Sequence, residues 1–313
     1  MNIIDLHCDT ILRIMKQGET AGLYRNKFSV DIEKLLASRV QAQFFAMFIN
    51  LRKDGPPLTR ALNMIDRFYR EIEDNCQYIV LAKNGDELEQ NRAAGKISAF
   101  LTIEEGGALQ GDLVNLRTFY RLGVRLITLT WNYPNEIGYP NSEPDCRNQG
   151  LTPFGREVVA EMNRLGMLID VSHLSDQGFY DVAALSVKPF VASHSNARAL
   201  TGHPRNLTDD MIKLLAEKGG VMGLNFEKTF LGSDSVSRVA DMVEHLKHIR
   251  KVGGIDVIAI GSDFDGISEE LELSHAGEMY KLVDALRENG FGQDAIEKIC
   301  WGNALRVIKD TLR

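Results

Sequence analysis

Short apolar segments rich in β-branched residues alternate along this chain with longer polar stretches. In the polar stretches, apolar residues recur every three or four positions, which is the spacing of an amphipathic helix. The apolar segments have the length and composition of buried strands, and eight of them follow this scheme. The predicted strands are residues 3–7, 42–49, 97–103, 125–130, 167–172, 190–193, 220–226 and 257–261.

The repeated order of strand and helix predicts parallel strands, because a parallel neighbour is reached through a crossover connection. Eight such units within 313 residues favour an α/β fold of the (β/α)8 TIM-barrel type over an open doubly wound sheet. No Gly-x-Gly-x-x-Gly fingerprint follows the first strand, as a dinucleotide-binding sheet would require. Since no stretch resembles a linker, we predict one barrel domain over residues 1–313.

Some element boundaries can be placed from capping residues. Thr152 is the expected N-cap of a helix over residues 154–165, and Gly166 is expected to end it. Two segments, 17–29 and 133–150, lack periodicity, and the second is rich in Pro, Asn and Gly. We expect both to be irregular and to lie over the mouth of the active site, since loops after barrel strands gather there.

Composition excludes several classes of protein. The 36 basic and 43 acidic residues give a net charge of −7 without long runs of one sign, so neither a nucleic-acid partner nor a membrane partner is predicted. The four cysteines are scattered without a Cys-x-x-Cys pair, which is typical of reduced thiols. No apolar run approaches the ~20 residues of a membrane span, and no leader precedes the first strand, so we predict a cytoplasmic protein.

The end of the first predicted strand carries two potential metal ligands. Because strand side chains alternate between faces, His7 and Asp9 are expected to project together, with Cys8 pointing into the core. Imidazole and carboxylate groups are both ligands of Zn²⁺. The same pair could equally form an ordinary hydrogen bond, so the residues beyond it must decide between the two.

Other predicted strands also end in acids or histidines. In a (β/α)8 barrel the carboxyl ends of all strands meet at one rim, so these side chains are expected to converge. Each alone has an ordinary explanation, as a turn cap or a satisfied polar group. Together they predict a metal centre. The additional rim residues are Glu104, Glu105, His173, His194, Asp263 and Asp265.

Four histidines fall outside these strand ends. We predict His245 and His248 on the solvated surface of a helix, because their surroundings in sequence are polar. His275 falls in a loop. His203 stays a candidate for the site because it lies two positions before Arg205.

Several motifs together resemble the renal or membrane dipeptidases, a binuclear zinc branch of the amidohydrolase superfamily of metal-dependent hydrolases. The resemblance covers nearly the whole chain, and the order and spacing of the motifs make it specific. The motifs are Asp5-Leu6-His7-Cys8-Asp9, Ile103-Glu104-Glu105-Gly106-Gly107, Asp170-Val171-Ser172-His173, Ala192-Ser193-His194-Ser195, His203-Pro204-Arg205-Asn206, Gly261-Ser262-Asp263-Phe264-Asp265-Gly266 and Gly302-Asn303-Ala304-Leu305-Arg306.

The resemblance implies a role for each matching residue. It makes His7 and Asp9 ligands of one zinc ion, and His173 and His194 ligands of the other. One glutamate bridges the two ions; alignment without a gap selects Glu104 and leaves Glu105 without a role. Asp263 falls on the acid that exchanges protons with the water and the leaving amine. Arg205 falls on the residue that binds the substrate's terminal carboxylate, a task that suits its planar fork of donors; a local ion pair with Asp209 or Asp210 is the alternative.

One departure from the family affects substrate contacts. The mammalian enzymes carry a histidine after the fourth strand that is thought to polarise the substrate carbonyl, whereas this chain has Trp131 and Asn132. Either residue could donate a hydrogen bond there, and we predict both to contact substrate.

The function implied is a zinc-dependent dipeptidase with two Zn²⁺ per chain, dipeptide substrates and possible homodimers. The family resemblance also implies tolerance of D- as well as L-residues at the C-terminal position. Two alternatives stay open. One is a related amidohydrolase acting on N-acyl amino acids or cyclic amides, and the other is a barrel that binds a metal or peptide without turnover. Mn²⁺ or Co²⁺ can occupy similar sites.

Overall fold

The computed structural model describes residues 1–232, 235–268 and 270–313. Within these ranges nine parallel strands form one sheet, in the order β2-β1-β9-β8-β7-β6-β5-β4-β3. The strands are β1 (Ile3–Cys8), β2 (Val40–Phe48), β3 (Ile79–Leu81), β4 (Ile97–Glu104), β5 (Val124–Thr128), β6 (Leu168–Asp170), β7 (Val191–Ala192), β8 (Val221–Leu224) and β9 (Ile258–Ile260).

An additional pairing between β2 and β4 closes eight of these strands into a barrel. Each of the eight predicted segments overlaps one barrel strand, so the (β/α)8 prediction is confirmed. The sequence analysis missed β3, a strand of three residues that pairs with the first residues of β4 outside the ring. β3 lies on the same edge of β4 as β5. The strand β5 pairs with the later residues of β4, from Leu101 onward.

Thirteen α-helices surround the barrel in the described ranges. They are α1 (Thr10–Gln17), α2 (Ile32–Ala37), α3 (Pro57–Asp74), α4 (Gly85–Ala93), α5 (Leu113–Arg121), α6 (Pro153–Leu165), α7 (Asp176–Leu185), α8 (Asp209–Glu217), α9 (Lys228–Leu231), α10 (Val239–Gly253), α11 (Tyr280–Glu288), α12 (Gln293–Glu297) and α13 (Asn303–Thr311). The Thr152 hydroxyl accepts from the Gly155 N–H and Gly166 is left-handed, which confirms both predicted ends of α6. No helix among the described residues has the length and apolar character to cross a bilayer.

The wall of strands separates two apolar cores. The outer core lies between strands and surrounding helices and includes Cys8, which is fully buried as predicted. The inner core fills the barrel and contains Leu6 together with residues of α13, which packs beneath the first residues of several strands. Strict alternation would place Leu6 and Cys8 on one face, but the pairing of β1 with β2 shifts register between Asp5 and Cys8. This irregularity lets β1 fill the core and then present His7 at the rim.

The backbone just after β7 approaches β8 and the end of β9 closely at two glycines. A Cβ added at Gly223 would lie 1.9 Å from the carbonyl oxygen of Ser193, and one added at Gly261 would lie 1.7 Å from the same atom. Both distances are far below contact, and the obstructing atom is backbone. Glycine is therefore required at both positions for the strands to approach beneath the rim.

Replacing Gly261 by Ala is expected to destabilise the fold by about 3 kcal/mol or more, because the methyl group forces the backbone of neighbouring strands apart. Urea unfolding followed by circular dichroism measures the loss. Gly202→Ala is the matched control, since nothing lies within 4 Å of a Cβ there, and it should change stability by less than about 0.5 kcal/mol. Equal effects from the two substitutions would contradict the close approach.

His245 was predicted on a solvated surface, and that prediction is wrong. It is 1% exposed, on the face of α10 that also buries Met242 and Ile249. Its Nδ1 accepts a hydrogen bond of 3.1 Å from the Ala197 N–H. Burial lowers the pKa of His245 to about 4, so it is neutral in the folded protein at neutral pH. His248 is half-buried instead and pairs with Asp209 at 2.7 Å.

This buried imidazole makes stability pH-dependent. Its pKa is about 4 when folded and about 6.5 when unfolded, so its contribution is complete above pH 6.5 and is lost as pH falls toward 4. By pH 5 the loss should reach about 2 kcal/mol. The stability difference between wild type and His245→Asn, from urea unfolding at several pH values, should shrink by that amount between pH 7.5 and 5. A difference that stays constant with pH would show that His245 titrates normally.

Candidate metal centre

Four barrel strands deliver five buried ligand-type side chains to one point. Asp9 follows β1 directly and His7 lies within it, while Glu104 is the last residue of β4. His173 follows β6 and His194 follows β7. All five are less than 9% exposed, and the strand ends predicted from the sequence do converge.

Glu104 lies at the centre of this group. Its Oε2 is 3.2 Å from the Nε2 of His7, whereas its Oε1 is 3.0 Å from the Nε2 of His173 and 3.6 Å from that of His194. The Nε2 of His7 is also 3.4 Å from the Oδ2 of Asp9. The two oxygens of the Glu104 carboxylate therefore face two separate sets of potential metal-binding atoms, which is the arrangement of a bridging ligand.

Hydrogen bonds beneath the rim fix the tautomers of two histidines. Ser193 donates its hydroxyl proton to Asp170 at 2.6 Å, so it accepts from the Nδ1–H of His194 at 2.7 Å. The Nδ1 of His173 lies 3.0 Å from Oδ1 of Asn132, an oxygen that only accepts. Both rings thus carry their proton on Nδ1, and each Nε2 is left as a lone pair.

The donor set fits a divalent cation. The Nε2 atoms of His173 and His194 lie 3.1 Å apart, and neither has a proton to donate to the other. Both ring nitrogens of His7 and the Oδ1 of Asp9 are buried without a hydrogen-bond partner in the described residues. Ligand atoms lie within 4.8 Å of one another in three overlapping groups: His7, Asp9 and Glu104; Glu104, His173 and His194; and His7, His194 and Asp263.

The pKa values show how strongly these charges interact. Burial lowers the pKa of His7, but Glu104 and Asp9 outweigh it and raise that pKa well above its usual value. Burial raises the pKa of Asp9 to about 6, assisted by the charge of Glu104. Burial, together with the acids Asp9 and Glu104, raises the pKa of Asp263 to about 8. Several buried acids can be ionised together only if positive charge lies close to them. Bound metal cations supply that charge without protonating the acids.

Backbone strain is concentrated at the same rim. Four of the six described non-glycine residues with positive φ lie beside the site: Glu105, His173, Asp263 and Asp265. Positive φ costs energy for residues with a Cβ, and it persists where surrounding contacts impose it. Here it turns strand ends sharply, so that the side chain of His173 enters the cluster.

Asp263 is positioned from both sides. Its Oδ2 accepts a hydrogen bond of 2.8 Å from Asn225, which follows β8, and its Oδ1 lies 3.8 Å from the Nε2 of His7. Asp265 does not join the cluster. It accepts from the Thr10 hydroxyl at 2.6 Å and from the Ser29 N–H at 2.8 Å, which fixes the irregular segment after α1.

Arg205 is buried beside the cluster and forms no ion pair within the described residues. Its guanidinium donates to the His194 carbonyl at 3.1 Å and to the Ser195 hydroxyl at 3.4 Å, and it lies over the Phe230 ring. Its Nε has no partner there, and burial lowers its pKa. The alternative ion pairs are absent for this arginine, because Asp209 pairs with His248 and Asp210 with Lys213. His203 supports the loop by accepting from the Arg205 N–H at 3.2 Å.

A cleft of about 620 Å³ opens onto these groups. Both Trp131 and Asn132 line it, as do Phe48 and Phe230. Asn132 also contacts His173, a contact that the sequence analysis did not foresee. Asn225, Ser193 and Asp170 are further residues to which it gave no role. Ser193 and Asp170 lie within motifs that it quoted, and Asn225 lies within the predicted strand 220–226.

The chain is similar to known proteins over most of its length. A family model described as "Membrane dipeptidase (Peptidase family M19)" matches residues 1–312. An uncharacterized protein in the pqqA 5' region of Klebsiella pneumoniae is 37% identical over 82% of this chain and 97% of its own length. An uncharacterized dipeptidase of Schizosaccharomyces pombe is 34% identical over 90% of this chain and 72% of its own length. A metallopeptidase from Rhodobacter sphaeroides, solved with a phosphinate mimic of L-Ala-D-Ala, is 28% identical with a TM-score of 0.92 and covers 99% of both chains.

Proposed function

The chain belongs to the membrane dipeptidase family, peptidase family M19, and from this membership we propose that it is a two-zinc dipeptidase for substrates with a free C-terminal carboxylate. As a metallopeptidase of this family it hydrolyses peptide bonds. The observation that carries the finer proposal is the division of Glu104 between two sets of ligand atoms.

In this proposal His7 and Asp9 would hold one zinc ion, His173 and His194 would hold the other, and Glu104 would be a ligand of both. Zinc supplies Lewis acidity, which polarises a carbonyl and acidifies water at neutral pH. Ser193 and Asn132 keep the Nε2 atoms of two histidines free of protons, so these ligands are ready without a change of tautomer.

Asp263 is the proton carrier of the proposed reaction. Its Oδ1 faces the cluster while its Oδ2 is held by Asn225. Burial and the neighbouring acids raise the pKa of Asp263 to about 8, but cations held by the cluster would favour the ionised carboxylate. Its Oδ1 would then be free to receive a proton from water and return it to the leaving amine.

Arg205 selects the substrate. It is a buried cation without a carboxylate partner in the described residues, and it lies beside the His194 ligand. A substrate carboxylate bound there places the adjacent peptide bond at the cluster, which favours dipeptides over longer chains. Tolerance of a D-residue is part of the proposal, supported by the L-Ala-D-Ala mimic bound to the Rhodobacter sphaeroides relative.

A panel of substrates tests this function. The purified protein, with zinc content measured, is offered L-L and L-D dipeptides, a tripeptide, and N-acyl amino acids, each with and without a chelator. We expect dipeptide cleavage that the chelator abolishes and zinc restores. Cleavage of N-acyl amino acids alone would favour the related amidohydrolase, which would use the same Arg205. Bound zinc without turnover of any compound would indicate a binding protein.

A further inference from the structure

Glu105 is a buried acid for which the proposed reaction has no use. It follows Glu104 directly, is fully buried, and adopts a φ of +108°. None of the ligand groups found among the described residues contains it. A buried carboxylate on strained backbone costs stability, so its contacts must provide a compensating gain.

The Glu105 carboxylate holds the segment that follows β5. It accepts from the Gly107 N–H at 2.7 Å, from the Trp131 N–H at 3.1 Å, and from the side-chain amide of Asn135. All three partners are donors, and a carboxylate is the side-chain group that only accepts. Asn135 in turn donates to the Leu129 carbonyl at 2.9 Å, so residues 131–135 are fixed at both ends.

Asn132 lies between those two fixed points. Its Oδ1 is the acceptor that keeps the Nδ1 proton on His173. If residues 131–135 moved, this acceptor would move with them, and His173 would lose both its orientation and its tautomer.

We propose that Glu105 is a positioning residue for His173, acting through the segment 131–135 and Asn132. The inference rests on the proposed metal centre, because its consequence is a tighter zinc site. It gives a role to the second glutamate of the Glu104-Glu105 pair: the first binds metal, and the second fixes the loop that orients another ligand.

Glu105→Gln tests the proposal with minimal change of shape. The new amide places a donor against an N–H or an NH₂ group, so at least one of the three hydrogen bonds is lost. Loss of an outer partner of a metal ligand typically costs about 10–100-fold in metal affinity, and we expect a loss of that size in chelator competition. Glu71→Gln is the matched control. Glu71 is also buried and holds a loop, through the Leu23 N–H at 2.6 Å, but its contacts lie outside the metal cluster. It should bind zinc within about threefold of wild type.

A second measurement uses protein without metal. The chain has two tryptophans, so Trp301→Phe leaves Trp131 as the only one. In that background Glu105→Gln should increase quenching of Trp131 fluorescence by acrylamide, whereas Glu71→Gln should not. Asn132→Leu should reduce zinc affinity about as much as Glu105→Gln. Asn132→Asp, which keeps an acceptor oxygen, should retain the affinity of wild type. The Glu105→Gln/Asn132→Leu double variant should bind zinc little more weakly than either single variant.

The outcomes separate the two levels of the proposal. Failure of wild type to bind zinc would overturn the proposed function itself. Wild-type binding with unchanged affinity in Glu105→Gln, or an equal loss in Glu71→Gln, would overturn only the positioning role. If Glu105→Gln does not fold, Asn135→Ser removes a donor to Glu105 while keeping the glutamate, and normal zinc affinity in that variant would also overturn the role.

Discussion

Asp263→Asn should reduce kcat by about 10²–10⁴-fold while zinc content stays near that of wild type, because a positioned proton carrier contributes a factor of that size to such reactions. The amide has the shape of the carboxylate and can still accept from Asn225. It cannot take a proton from water at neutral pH. Steady-state kinetics on a cleaved dipeptide, with zinc measured by mass spectrometry on the same sample, gives both quantities.

Asp265→Asn is the control for that variant. Asp265 is also buried and also has positive φ, but its carboxylate accepts from Thr10 and Ser29 outside the cluster. We expect its kcat to stay within about tenfold of wild type. Turnover near wild type in Asp263→Asn would contradict the proton-transfer role, and loss of zinc from that variant would make Asp263 a ligand instead.

Arg205→Gln should lower kcat/KM for dipeptides by about 30-fold or more. A buried charge pair typically loses 2–5 kcal/mol when one partner is removed, and the substrate carboxylate would lose its buried cation. Dipeptide amides, which lack the carboxylate, make the test specific. Wild type should discriminate against them by a similar factor, and the variant should discriminate little.

An equal loss for dipeptides and for their amides would contradict the assignment of Arg205. It would show instead that the guanidinium supports the loop through the His194 carbonyl and the Ser195 hydroxyl. Arg205→Lys distinguishes the contributions of charge and shape, because lysine keeps the charge but has no planar fork. We expect it to recover only part of the lost kcat/KM.

The barrel could be predicted because each of its strands and helices has a recognisable pattern within its own short segment of sequence. Each barrel strand is a buried apolar run, and the helices between them carry capping residues such as Thr152. The same reasoning missed β3, since three residues are too few for a periodic pattern. It also placed His245 on the surface, although Met242 and Ile249 stand three and four positions away on the buried face. The polar residues next to His245 in the sequence suggested exposure, but the packing of α10 against the barrel buries it.

The convergence of the candidate metal ligands could be predicted for a different reason. Parallel strands bring their ends to one rim, so an acid or histidine at each strand end converges with the others regardless of sequence separation. The hydrogen-bond partners of these ligands could not be found in this way. Asn132 reaches His173 across 41 positions, and Glu105 reaches Asn135 across 30, through loops whose path follows no periodic rule. The two different tasks that we propose for Glu104 and Glu105 rest on contacts that are visible only in the folded chain.

The proposed reaction depends on Glu104 standing between two metal ions. A crystal structure of the zinc-loaded protein, with anomalous difference maps on both sides of the zinc edge, would locate those ions. We expect two peaks per chain, one beside His7 and Asp9 and the other beside the Nε2 atoms of His173 and His194. A single peak, or peaks away from Glu104 in fully active protein, would contradict this placement of Glu104.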